Sequence, residues 1–446
     1  MRYREWRQWL SEIPWALRWF VLLVLVRPVL DTLYFLKDIS PFLSPPYVIG
    51  ALTPILIIAS LSSRSIGRIQ WSLLDRLFVL WGALMVFNAL AVLAIGISLV
   101  TIEVSLKLAT PVLIYVFLRH LIQSRRDLVG VLTCFLYSAV PVFGMMLYER
   151  FVSPLQSDLT FTRGFYRYSG LYGDIVSYSV YFVGTYLIAG YLFLSSAERA
   201  SIGRAAVRFA FVAGLCVLGF LQIHHNMSWG VAAALSSLLL FQTFSGRKLG
   251  SASLLLAIFF VLGIFFHEDV GQRVGRSLET EIAVLDGRAG QEKAFHGRMS
   301  RWNDYLDRWD EQAPLAKAFG VSLMSDRAET GMLFGIHTDY LRIMFASGVV
   351  GLAFYLAYFL RLILCTWQVR GNGEQFLLRG GIAVMLLFSI STVPTLYFGL
   401  LYLCLSIFAF AALPAVSQRG ALQGNFIIVG HTGDHTARVL AHESRG

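Results

Sequence analysis

Residues Gly331–Leu352 read GMLFGIHTDYLRIMFASGVVGL. The stretch begins as loop, passes through His337, and turns into an apolar run of membrane length within a few residues. His337, Asp339, Tyr340 and Arg342 therefore stand where a long non-membrane segment enters lipid. Ionisable side chains at such a depth are costly, so they are functional candidates by default.

The membrane reading rests on the whole chain. Of 446 residues, 57% are hydrophobic and only 14% charged, whereas soluble domains carry about a quarter charged residues. A bilayer core takes about 20 apolar residues per helix, fewer when the ends snorkel. Twelve runs qualify: Leu17–Leu36, Tyr47–Leu61, Leu77–Ile97, Val104–Leu118, Leu128–Leu147, Ile175–Leu194, Val207–Ile223, Ser228–Gln242, Ser251–Phe266, Tyr340–Leu364, Leu378–Val393 and Leu396–Val416. The fourth is the weakest, because it contains Lys107 and Pro111. The expected fold is thus an all-α integral membrane protein of about twelve helices, with its large loop between the ninth and tenth. The expected organisation is helices one to nine in 1–266, a loop domain in 267–336, the last three helices in 337–416 and a tail in 417–446. The four cysteines, Cys134, Cys216, Cys365 and Cys404, lie in or at the ends of apolar runs, so no disulfide framework is implied. The basic N-terminus leads into the first span without a small-residue cleavage site.

Charge sets the expected orientation. Alternate gaps between spans, the two termini and Arg18 together hold 21 of the 37 basic residues and 8 of the 27 acidic ones. The remaining 16 basic and 19 acidic residues fall elsewhere. The net charge of +10 is therefore a positive-inside signal rather than a nucleic-acid footprint. Both termini are expected on the cytoplasmic side.

Three outer segments stand out. The first, Glu149–Gly173, carries Arg163, Arg167 and the aromatics Phe165, Tyr166, Tyr168 and Tyr172. The second is the short turn His224-His225-Asn226. The third, His267–Ile336, has no internal apolar span and holds 9 basic and 12 acidic residues. Within it, Met299, Trp302, Leu306, Trp309 and Ala313 recur at helical spacing, beside a stripe of Arg298, Arg301, Tyr305 and Arg308. Such a helix is expected on the membrane surface with its tryptophans at headgroup level. The arginine stripe has two readings: a solvated basic edge, or a clamp for phosphate oxygens, which guanidinium binds bidentately.

At the entrance of the tenth span, Thr338 or His337 suits a cap, Asp339 suits the first turn, and Arg342 is placed to pair with Asp339. None of these roles accounts for His337, whose imidazole titrates near neutrality and suits a general base.

His337-Thr-Asp-Tyr-Leu-Arg followed by Ser347-Gly-Val-Val-Gly351-Leu resembles the His-Asn-x-Tyr-Leu … Gly-Ile-Ile-Gly-Leu pattern of the O-antigen ligase and polymerase family, which includes the Wzy polymerases and WaaL ligases. Gly297-Arg298 … Trp302, then Ala318-Phe319-Gly320-Val321, is similar to that family's Gly-Arg … Trp … Phe-Gly-x-Gly run. Arg167-Tyr-Ser-Gly170 resembles its Arg-x-x-Gly stretch. The motifs cover roughly Arg163 to Leu352. The resemblance implies a metal- and cofactor-independent transferase of the membrane glycosyltransferase C type, in the bacterial inner membrane. Its partners would be an undecaprenyl-diphosphate-linked glycan, the bilayer, a flippase and a chain-length regulator, with no nucleic acid. It implies His337 as the base, and Arg298 and Arg167 as diphosphate ligands that stabilise the leaving group. Arg301 and Arg163 are further candidates, with Asp339, Tyr340, Arg342, His224 and His225 in support. One departure is the turn at His224-His225, where the family often has Ser-Arg. The two histidines either take over phosphate contact or are polar turn residues; no cysteine or paired carboxylate nearby favours a metal site.

The leading expectation is polymerisation of lipid-linked repeat units on the periplasmic face, because the His-x-Asp-Tyr-Leu-Arg form is the more polymerase-like. Transfer of finished polymer to lipid A–core or to protein is the second. A twelve-span transporter is the non-enzyme alternative, but the two halves show no repeat and the long outer loop suits a transferase better. Arg27 and Asp31, four apart in the first span, suit either a structural pair or a place beside the glycan path. The tail after Gln418 shows no periodic pattern and is expected to be weakly ordered.

Overall fold

A computed structural model describes residues 3–62, 71–155, 160–162, 165–197, 202–245, 249–290, 298–320, 338–369 and 371–413. The expectations for His337, Arg163 and the tail lie outside the described residues.

The described chain is almost entirely helical. An N-terminal amphipathic helix, α1 (Tyr3–Glu12), buries Trp6 and Trp9. The Trp9 indole donates to Asp127 at 3.1 Å. There follow α2 (Trp15–Asp31), α3 (Pro45–Ser62), α4 (Leu73–Ile95), α5 (Leu99–Leu121), α6 (Arg125–Phe151), α7 (Ile175–Ala197), α8 (Ile202–Ile223), α9 (Asn226–Ser245) and α10 (Leu249–Leu285). Two short helices, α11 (Arg298–Asp310) and α12 (Pro314–Phe319), precede α13 (Asp339–Thr366), α14 (Asn372–Ser391) and α15 (Phe398–Ala411). Each apolar run singled out in the sequence overlaps one of these helices, although Leu17–Leu36 outruns α2, which ends at Asp31. Among the described residues, nine helices are long and apolar enough to cross a membrane; the apolar stretches Ala252–Ile264 and Phe398–Ala411 are shorter. Among the described residues the fold departs from all-α at one place, an antiparallel ribbon of β1 (Thr160–Thr162) and β2 (Phe165–Arg167) that pairs Thr160 with Arg167.

Local chemistry explains several boundaries. Ser72 and Asp75 form a reciprocal capping box at the start of α4, and Ser98 with Thr101 does the same for α5. The doubtful fourth run proves to be a full helix, with Lys107 paired to Glu103 one turn away. A methylene-rich lysine stem beside a partner carboxylate makes the charge tolerable there. Helix α10 does not stop where its apolar run ends at Phe266 but continues to Leu285. The reason is legible: Val270, Val274, Leu278 and Ile282 recur every four residues.

One end of the bundle is locked by buried charge. Asp75, fully buried, accepts from Arg119 Nε at 3.0 Å and Tyr115 OH at 2.9 Å, while Arg119 Nη2 donates to the Ala412 carbonyl at 3.1 Å.

At the other end, α11 and α12 fold onto α13. Tyr305 and Trp309 bury their rings against Phe345, at centroid distances of 5.8 and 5.2 Å. This corrects the expected faces of the helix: Tyr305, assigned to the arginine stripe, lies on the buried face, while Met299 and Leu306 of the apolar stripe stay exposed. The Phe345 ring of α13 covers Tyr305 and Trp309. Beyond α11, the end of α12 meets a kink in α13. Gly348 has φ +70 and Gly320 has φ +96, both left-handed. A Cβ on Gly348 would strike the Ala318 carbonyl, and one on Gly320 would meet the Ala346 backbone at 2.7 Å. Only glycine permits this conformation and this backbone-to-backbone approach. Asn88 of α4 secures it by donating to the Phe319 carbonyl at 3.3 Å.

Candidate functional site

Parts of three segments singled out in the sequence, far apart along the chain, converge at this end. Their positions are fixed by ordinary contacts. The Tyr168 amide donates to the Gln222 carbonyl at 3.3 Å, tying the exit of β2 to the end of α8. Tyr172 OH donates to the Pro28 carbonyl at 2.8 Å. Glu149 accepts from Gln222 Nε2 at 3.2 Å and Tyr178 OH at 3.5 Å. The chain then turns at His224, which takes a left-handed φ of +53, and His225 Nδ1 shares a 2.8 Å hydrogen bond with Ser228 Oγ. Arg298 opens α11 and is placed by the docking of Tyr305 and Trp309.

The result is a cationic cluster. The guanidiniums of Arg298 and Arg167 both act on the His225 imidazole. His225 keeps some accessible surface but is closely surrounded; this burial, reinforced by Arg298 and then Arg167, holds its pKa down to about 3. It is therefore neutral at ordinary pH and brings hydrogen-bonding capacity but no charge. Burial, and then neighbouring Arg301, lowers the pKa of Arg298. Among the described residues no carboxylate pairs with Arg298 or Arg301. Adjacent guanidiniums that repel one another and lack a counter-charge make a site for an anion with several oxygens.

The described part of the entrance stretch has a different character. Asp339 is fully buried and accepts from the Thr395 amide at 3.1 Å and the Thr395 hydroxyl at 2.8 Å. Arg342 Nε lies 3.3 Å from its carboxylate, and Arg342 Nη2 donates to Thr395 Oγ1 at 2.9 Å. The expected Asp339–Arg342 pair forms. Thr338 precedes the helix but makes no side-chain cap; its hydroxyl donates instead to the Ser389 carbonyl at 2.8 Å. Tyr340 OH donates to the Leu386 carbonyl at 2.9 Å. These residues bolt the start of α13 to the end of α14 and to the Pro394–Leu396 turn.

Tyr397, in that same gap, was not foreseen. Its hydroxyl lies within electrostatic reach of Asp174 and Arg298. It joins the arginine cluster to a cavity of about 290 Å³ walled by Arg27, Asp31, Lys107, Asp174, Tyr181 and Tyr397 among others. Here Arg27 Nε pairs with Asp31 at 2.6 Å, Tyr181 OH donates to Asp31 at 3.4 Å, and the Arg27 guanidinium lies 4.8 Å over the Phe398 ring. A second cavity, of about 370 Å³, shares Arg27, Lys107 and Phe398 but is otherwise mainly apolar, with Val48, Ala51, Ile102 and Leu106 in its wall. The sequence signals for this region are the intramembrane charges of Arg27, Asp31 and Lys107; Tyr397 reads as part of the last apolar run and Asp174 as a residue flanking the sixth.

Fold and site define a multi-pass helical membrane protein with a cationic cluster beside a polar cavity. No family model matches the chain, and no curated protein matches it.

Proposed function

We propose that the chain is a transferase of lipid-linked glycans, an O-antigen polymerase of the Wzy type, which joins undecaprenyl-diphosphate-linked repeat units on the periplasmic face of the bacterial inner membrane. One observation carries this reading: Arg167 and Arg298, from segments 131 residues apart, meet at His225, and Tyr397 links Arg298 to a polar cavity that an apolar one adjoins. The apolar cavity suits the hydrocarbon of the carrier lipid, and the arginines suit its diphosphate. In the reaction an acceptor hydroxyl oxygen bonds to the anomeric carbon of the donor sugar. The bond from that carbon to the diphosphate breaks, and the diphosphate departs with the electron pair. Arg298, Arg301 and Arg167 neutralise the charge that develops on it. His337 takes the hydroxyl proton. Ligation to lipid A–core shares this half-reaction and differs only in the acceptor. In this reading the twelve apolar helices all span, both termini are cytoplasmic and 267–336 is periplasmic.

Purified protein supplied with lipid-linked repeat units tests the reading. His337→Ala should still bind donor but elongate it about 10²–10⁴-fold more slowly, the usual contribution of a general base. Wild-type-like polymer from His337→Ala would remove the base assignment. Reporter fusions at Gly246 and Gly290 should report opposite sides; same-side signals would overturn the topology.

A further inference from the structure

Beside the arginine cluster lies the cavity of about 290 Å³, at the lower end of the range for small-molecule sites, roughly 300 Å³ and upward. Its chemistry differs from that of the cluster. Two carboxylates face it, Asp31 and Asp174, and they would repel a phosphate. Its two cations each have a carboxylate partner, Asp31 for Arg27 and Glu103 for Lys107. Its tyrosines, Tyr34, Tyr172, Tyr181 and Tyr397, offer ring faces and hydroxyls. Arg27 is only 6% exposed, yet its Nη1 is buried with no hydrogen-bond partner. A buried guanidinium N–H of this kind calls for an oxygen acceptor. Among the described residues Asp31 accepts only from Arg27 and Tyr181 and has lone pairs left for hydroxyl donors, whereas Asp174 already accepts from the Val176 and Ser177 amides at the start of α7. A ligand that offers both within one ring's width, and a C–H face to aromatic rings, is a polyol.

We infer that this cavity, bounded by Arg27, Asp31, Asp174, Tyr181 and Tyr397, is a carbohydrate-binding pocket that holds one sugar ring of the glycan. The inference rests on the proposed function for its context, since Tyr397 of the pocket wall lies within electrostatic reach of Arg298, one of the arginines assigned to the diphosphate. Work is divided across that residue: anionic oxygens on the arginine side, hydroxyls on the carboxylate side. Asp31 and Arg27 are then specificity residues, which decide which ring is accepted.

Two probes separate this pocket from the diphosphate site: undecaprenyl diphosphate without sugar, and the free glycan released by mild acid from the lipid-linked units of producing cells. Both are titrated against the full chain in nanodiscs. Free glycan should bind wild type, and Asp31→Asn should weaken it at least tenfold while leaving undecaprenyl diphosphate within twofold. Arg298→Ala should do the reverse. Ser177→Phe, which fills the cavity without stranding a charge, should match Asp31→Asn in glycan binding and guards against misfolding of the latter. If free glycan fails to bind wild type, or binds both variants as well as wild type, the pocket is not a sugar site. If undecaprenyl diphosphate fails to bind while glycan binds and is lost in the variants, the pocket stands and the proposed function falls.

Discussion

Two charged regions lie close together at one end of the bundle and are built on opposite principles. At the start of α13, Asp339 is paired with Arg342 and accepts from Thr395, with no exposed surface on the carboxylate. Around His225, Arg167 and Arg298 gather positive charge beside an imidazole that is kept neutral. A buried charge that is fully paired holds structure, because nothing about it changes when a ligand arrives. Unbalanced charge next to a cavity is costly until an anion comes, and that cost is what a binding site can use. Position at a membrane entrance alone does not distinguish the two; the partners do.

Mutation should separate them in opposite directions. The largest effect expected is on activity: Arg298→Ala should abolish polymer formation while protein abundance and thermal unfolding stay normal. Arg298→Lys should rescue poorly, since an ammonium lacks the bidentate fork. Full rescue by lysine would show that Arg298 supplies only charge.

Next comes stability. Arg342→Leu leaves Asp339 buried without its cation, a loss of about 3–5 kcal/mol for a broken buried pair. Thermal unfolding in detergent should show it as a large drop. Asp339→Asn should cost of the same order, more than a surface cap would, because Asp339 accepts two hydrogen bonds from Thr395. If either variant unfolds like wild type but is inactive, the entrance residues belong to the site and the contrast collapses.

These two regions also show what sequence can and cannot convey. Helices were legible because apolar runs are local: Val104–Leu118 locates α5 despite Lys107, and the spacing of its aromatics locates α11. The pairing of Asp339 with Arg342 was legible for the same reason, at three residues' separation. Its third partner, Thr395, lies 56 residues away, and nothing in the spacing points to it. Likewise, that Arg167 and Arg298 meet His225 depends on how α7, α8 and α11 pack. The buried face of α11 was misjudged because periodicity locates a stripe but not what covers it. Tyr305 carries a hydroxyl and was grouped with the polar edge; its ring decided otherwise.

A smaller effect sharpens the picture at Gly348. Alanine there must adopt a left-handed backbone, costing about 1–2 kcal/mol, and its methyl would meet the Ala318 carbonyl. Limited proteolysis should then cut 298–320 sooner, with thermal unfolding of the bundle little changed. Equal protection in the variant would mean that α12 is not held by the kink.

The gentlest test concerns His225. Its pKa falls from an ordinary 6.5 to about 3 in the fold. Between those values the unfolded chain holds a proton that the folded chain does not, so stability should decline as pH drops from 6.5 toward 3. His225→Gln should flatten that acid limb. Added pyrophosphate, by offsetting Arg298 and Arg167, should move the imidazole's titration upward in NMR; an unmoved resonance would place the anion elsewhere.

The glycine contact between α12 and α13 also bears on how the chain is made. Residues 298–320 leave the ribosome before 339–366, yet their resting place is the notch that Gly348 opens in the later helix. The earlier segment has to wait, undocked, until its receptor has been synthesised and inserted. Arg298 travels with that segment. The cationic cluster is thus among the last parts of the protein to assemble, and a nascent chain halted before α13 carries the arginine without the place that aims it.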